Sequence, residues 1–173
     1  MERSCLRSTF RPGPLPVNDF HINSVYVADS SIYFSGLRTQ AMPHLDSKYE
    51  VSKVCTLPLG IHNAQPFGEG IFFNDTESDF VRYVGRDGRS QALRIKAYPQ
   101  SEIQLFGIDD SKIARQGFGR GLCIVDERFV AGGSPPSTIT RYDLEADQLV
   151  ASVNLSMDIR NAIHGLELWP YDE

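Results

Sequence analysis

From Phe20 onward, apolar and polar side chains alternate with a period of two. Ile22, Ser24 and Tyr26 fall on one side of the chain, and His21, Asn23 and Val25 on the other; Ile32 and Phe34 then alternate with Tyr33 and Ser35. Alternation bounded by turn residues marks half-buried strands. It predicts two strands within Phe20–Arg38, turning at Asp29-Ser30-Ser31, and another over Tyr49–Leu57 after a looser stretch at Thr39–Asp46. Gly60–Asp75 reads as a strand pair turned at Gly68 and Gly70, followed by strands at Asp79–Val84 and Ser90–Ala97. Between these last two, Arg86-Asp87-Gly88-Arg89 is a tight-hairpin signal. Arg120–Val125, Phe129–Gly132, Thr138–Leu144 and Leu149–Leu155 repeat the scheme, and Ile163–Trp169 reads as one further strand. Tyr98–Gly117 is a longer connection, with room for a strand at Ile103–Ile108 and a short helix at Asp109–Ala114. No window of helical period is long enough to compete.

The order of elements recurs. His62 and Arg120, both strand openers, are 58 residues apart, and Arg82-Tyr83 and Arg141-Tyr142 are 59 apart. Four short strands in a repeat of roughly 40 to 60 residues mark a β-propeller blade. The sequence therefore predicts an all-β fold, a propeller or partial propeller of four-stranded blades: about three blades plus a final inner strand. Residues 1–19 read as an irregular lead-in, because Arg11-Pro12-Gly13-Pro14-Leu15-Pro16 suits neither helix nor central strand. Blades are expected over about 20–58, 59–98 and 117–157, with a closing strand at 162–169. Three blades do not close a ring, since propellers typically have about four to eight. A propeller truncated before residue 20 is the favoured expectation, and self-association to complete the ring is the other.

Composition narrows the partners. The chain has 173 residues, 41% hydrophobic and 23% charged, with a formal net charge of −5. That is ordinary globular composition. Without a basic footprint, neither nucleic acid nor an anionic membrane is expected as partner. The N-terminus has no apolar run of signal-peptide type and no segment reaches the ~20 apolar residues of a membrane span, so a soluble, cytoplasmic protein is expected. Cys5, Cys55 and Cys123 fit no zinc spacing; Cys55 and Cys123 lie in apolar strands and read as buried, reduced thiols. Trp169 reads as a packing residue at the ring closure.

The segments FHINSVYV, GIHNAQPFGEGIFFND, GFGRGLCIVDERFVAGGS and IHGLELWP resemble, in this order, successive blade starts of a bacterial family of uncharacterised conserved hypothetical proteins. The most specific pieces are His62-Asn63-Ala64 and Gly117-Phe118-Gly119-Arg120-Gly121-Leu122, and the resemblance spans about residues 20–170. It implies a six-bladed propeller with no assigned activity, in which about two further blades precede the stretch seen here. A fold is thereby implied and not a reaction.

Candidate chemistry lies at the inner strands, which converge on a propeller axis. His21, His62 and His164 each stand near the start of an inner strand, and Arg120 takes that place in the third repeat; Asn23 and Asn63 lie nearby. Three readings remain open. In the first, these residues satisfy neighbouring loops and channel water. In the second, they form a channel-mouth site for a small polar or anionic ligand, with Arg120 as a bidentate fork and imidazoles and amides fixing orientation. Or, as in gluconolactonase-like metal-dependent hydrolases, Asn23 and Asn63 help hold a divalent metal. No carboxylate opens an inner strand, and Arg120 repels a cation, so no metal ligand set is assigned and no cofactor is expected. The expected function is a binding or scaffold module for a small ligand or a protein partner, with no catalytic residue assigned. Gly117–Gly121 is only faintly like a phosphate loop, because it opens a strand and lacks the following lysine.

Overall fold

The computed structural model describes residues 20–28, 31–105 and 115–171. Its elements, in chain order, are β1 (Ile22–Ala28), β2 (Ser31–Gly36), β3 (Ala41–Leu45), β4 (Val51–Thr56), β5 (Ile61–Phe67), β6 (Gly70–Asp75), β7 (Phe80–Gly85), β8 (Ser90–Arg94), β9 (Gly121–Ile124), β10 (Phe129–Ser134), β11 (Thr138–Asp143) and β12 (Gln148–Asn154). They form three separate four-stranded antiparallel sheets, each with its strands in sequence order. The looser stretch after Thr39 is therefore a true strand, β3, and completes the first blade. The hairpin at Arg86–Arg89 is as expected, with Gly88 in the left-handed region at φ 84°. Outside the strands, the described residues hold one 3-10 turn, Gln100–Glu102. The expected strand at Ile103–Ile108 is reduced to a parallel bridge between Gln104 and Asp158, and its remainder and the expected helix at Asp109–Ala114 lie outside the described residues.

One expected element is absent. Ile163–Trp169 joins no sheet. The segment runs extended over the far side of the third sheet, where a side chain at Gly133 or Gly121 would meet Ile163. Its alternation is that of an inner strand, but no strand among the described residues offers it a ladder. Trp169 is likewise not a packing residue: it is 75% exposed and touches Tyr171, with ring centroids 5.0 Å apart.

The sheets pack face to face like propeller blades, with β5 against both β1 and β9. Period-two alternation decides which residues enter which seam. On β6, Phe73 turns to the first blade and joins Met42, Leu57, Ile61 and Ala64. Its neighbour Phe72 turns to the third and joins Val81, Leu93, Ile95, Leu122, Val130 and Tyr142. The middle blade is thus apolar on both faces, whereas outer strand β12 is almost wholly exposed. Cys123 is buried and Cys55 half-buried, both as free thiols, and burial pushes both pKa values up. No helix among the described residues is long and apolar enough to cross a membrane.

Because Phe72 is 1% exposed at the centre of the larger seam, Phe72→Ala should cost about 3–5 kcal/mol in a urea unfolding experiment. Val153→Ser on exposed β12 should stay within about 0.5 kcal/mol of the parent. Equal effects at the two positions would contradict the packing described.

Candidate functional site

The inner strands of the first two blades open with a deviation from a regular ladder. The β1–β2 register shifts between Ile22 and Ser24, and the β5–β6 register shifts between His62 and Gln65. A bulge of this kind re-aims the side chains around it. His21 and Asn63 adopt left-handed backbone, at φ 45° and 52°, a conformation uncommon outside glycine and richest in asparagine, aspartate and histidine among the rest. His21 is pinned there: its carbonyl accepts from Leu37 N (3.1 Å), and that of Phe20 accepts from Arg38 N (3.3 Å). The approach depends on Gly36, where a Cβ would collide with the carbonyls of Phe20 and His21. In the third blade no bulge is needed. Arg120 N donates to Gly133 O (2.8 Å), and Gly119 lets the chain pass close to Asn74, whose Oδ1 would lie 2.6 Å from an added Cβ.

These devices bring four of the six residues singled out from the sequence together. The His21 and His62 rings are 6.4 Å apart, edge to face. His62 meets the Phe118 ring at 5.5 Å, and the Arg120 guanidinium lies 4.9 Å over the other side of the cluster on the same ring. Arg120 Nη1 is 3.2 Å from Nε2 of His164. Arg115 also stacks on Phe118, at 5.3 Å, while its own charge is paired with Asp79.

Burial pushes the His62 pKa down to about 4, with Arg120, His21 and His164 pushing the same way. His164 is lowered as well, by burial first and by Arg120 second. His62 is therefore a neutral imidazole at pH 7, in a positive field.

The two asparagines sit differently. Asn23 turns into the seam between the first and second blades, where Nδ2 donates to Ile61 O (3.0 Å). Its Oδ1, and that of Asn63, are buried without a hydrogen-bond partner among the described residues. Both oxygens are acceptors, and Asn63 directly follows His62 in the chain. Among the described residues no three His, Cys, Asp or Glu side chains are placed to share a metal ion. Phe118 was missed by sequence reasoning. The available signal was an aromatic residue two positions before the Arg120 opener, hidden in a glycine run that drew attention to phosphate loops.

No family model matches the chain, and no curated protein does. Among solved structures, hydrazine synthase of Kuenenia stuttgartiensis superposes with a TM-score of 0.55 at 13% identity, over 93% of this chain and 42% of that one. The computationally designed Ika4 protein superposes with a TM-score of 0.54 at 10% identity, over 90% of this chain and 84% of that one. Virginiamycin B lyase from Staphylococcus aureus is similar at a TM-score of 0.45 and 9% identity, over 73% of this chain and 39% of that one. The chain thus spans about two fifths of the lyase and the synthase. At such identities the likeness concerns the fold: this chain is a partial β-propeller.

The site makes a pH prediction. Unfolded, His62 takes up a proton near its ordinary pKa of 6.5; folded, it does so only near 4. Stability contributed by neutral His62 is therefore complete above pH 6.5 and lost as pH falls from 6.5 towards 4, by up to about 3 kcal/mol. Urea unfolding across this range should show the loss, and His62→Gln should flatten it. A midpoint near 6.5 for the His62 ring protons in an NMR titration would contradict this environment.

Proposed function

We propose that this partial propeller is a binding module whose cluster of inner-strand openers takes a small oxyanion, a carboxylate or a phosphate. One observation carries the reading: buried His62 gathers with His21, His164 and the Arg120 guanidinium around the Phe118 ring. The Arg120 charge beside desolvated His62 disfavours the imidazolium form, and a bound anion offsets that field. The parts fit the task. The Phe118 face holds the Arg120 guanidinium by a cation–π contact, and a guanidinium is a planar fork of N–H donors of the kind that recognises a carboxylate or phosphate. Imidazole N–H groups of His21 and His164 supply further donors, and neutral His62 either accepts from a protonated ligand oxygen or donates, according to tautomer.

A divalent cation does not fit this donor set. The unpartnered oxygens are neutral amides, no carboxylate joins them among the described residues, and the adjacent side chains repel a cation. No hydrolytic step of lactonase type is derived for these residues.

Titration with inorganic phosphate and with acetate, read by NMR of the histidine rings, tests the reading. Phosphate is expected to raise the His62 midpoint from about 4, and Arg120→Gln to weaken binding at least about tenfold, the loss of roughly one charge-assisted hydrogen bond. Unmoved His62 resonances, or equal binding by Arg120→Gln, would overturn it. A stoichiometric divalent ion retained through dialysis against chelator would return the metal reading.

A further inference from the structure

The seam between the second and third blades is packed out to its edge. Strand β12 reaches β8, and Gln91 Nε2 donates across the seam to Leu144 O (2.8 Å). Near the β5–β6 turn, the rings of Phe67, Phe72 and Tyr83 fill the space, with centroids 5.0 to 6.1 Å apart.

The seam between the first and second blades lacks this filling. Ser31-Ile32-Tyr33-Phe34-Ser35 on β2 corresponds to Gly70-Ile71-Phe72-Phe73-Asn74 on β6. The ladders agree: Tyr33 pairs with His44 as Phe72 pairs with Tyr83, and Ala28 pairs with Ser31 as Phe67 pairs with Gly70. Tyr33 and His44 keep two of the three rings, stacked at 5.0 Å. Ala28 stands where the third would be. A methyl in place of a benzyl group leaves room, and this seam holds a cleft of about 660 Å³.

The walls of the cleft are apolar. Tyr33, Cys55 and Leu57 of the first blade face Ile71, Phe73 and Val84 of the second. Sites for small organic molecules run to roughly 300–1,000 Å³ and combine such walls with a few polar groups. Here the charged groups are Glu69 and Arg86, both exposed. Arg86 N donates to Glu69 O (3.0 Å), so the two residues are held together at the mouth. Arg82, Arg89, Arg115, Arg128 and Arg160 are each paired with an aspartate. Among the described residues Arg86 forms no ion pair and lies over no ring, and its charge acts on the Cys55 thiol inside the cleft.

We propose that this cleft binds a small aromatic monocarboxylate, its ring against Tyr33 and Phe73 and its carboxylate on the Arg86 guanidinium. A guanidinium fork matches a carboxylate, and aromatic walls suit a ring. A second negative charge on the ligand would meet Glu69, which restricts the class to monoanions. The cleft shares no lining residue with the Arg120 cluster, so either site stands without the other.

Calorimetric titration of the full chain with naphthoate, and with uncharged naphthamide, tests this. Naphthamide is expected to bind about tenfold more weakly, and Arg86→Gln to weaken naphthoate by the same factor, the loss of a charge-assisted hydrogen bond. Glu69→Gln is expected to tighten naphthoate. Nuclear Overhauser contacts should run from the naphthoate ring to the methyl groups of Ile71 and Val84. Val84→Trp, at a half-exposed wall position, should abolish them with circular dichroism unchanged. Equal binding of the acid and the amide would overturn the proposal, as would equal binding by Arg86→Gln. Contacts confined to the His62 ring would assign the carboxylate to the inner-strand openers alone and likewise overturn the cleft. Weaker binding by Glu69→Gln would contradict a monoanion and require a cationic group on the ligand.

Discussion

Side-chain amides that donate across the blade seams are the interaction on which the rest depends. Neighbouring blades share no backbone ladder, so a carbonyl of an inner strand that points into a seam has no strand to bond. Left buried and unpaired it costs about 1–3 kcal/mol. Asn23 supplies Ile61 O (3.0 Å), Asn74 supplies Gly121 O (3.1 Å), and Gln65 supplies Leu122 O (3.0 Å). Further out, Gln91 donates to Leu144 O (2.8 Å). Three of these bonds sit at inner strands, where the backbones are also brought close by the missing side chains of Gly36 and Gly119. Apolar packing holds the sheets face to face, but it is non-directional. The amides and glycines set how near the strand openers come to one another.

That proximity has an electrostatic consequence. His21, His62, Arg120 and His164 belong to different blades or to the terminal segment, and in an unfolded chain they do not feel each other. Folding gathers them around Phe118 and removes water from His62. A structural role alone would be met as well by neutral side chains. The gathering of three imidazoles and a guanidinium around a desolvated place is the physical reason to read a ligand site here.

Much of the fold was legible in the sequence because the blade pattern repeats. Alternation located eleven of the twelve strands to within a few residues, and β3 was obscured by Pro43, which interrupts the alternation. The recurrence of His21, His62, Arg120 and His164 at strand starts pointed to four residues that do come together. Asn23 and Asn63 were legible as neighbours, but their orientation is decided by bulges, which depend on the partner strand and leave no composition signal. Asn74 and Gln65 read as ordinary strand residues, because the carbonyls they satisfy lie 47 and 57 positions away. Ile163–Trp169 shows the converse limit. Its alternation is correct for an inner strand, yet a strand exists only where a partner supplies the ladder.

The most direct measurement is anomalous diffraction from crystals of the chain soaked in tungstate, an oxyanion that reports its own position. Density is expected within about 3 Å of the Arg120 guanidinium, as a hydrogen bond requires, and beside the His62 ring. Density confined to other arginines, such as Arg86 or Arg128, with none at Arg120, would contradict an oxyanion site at the inner-strand openers.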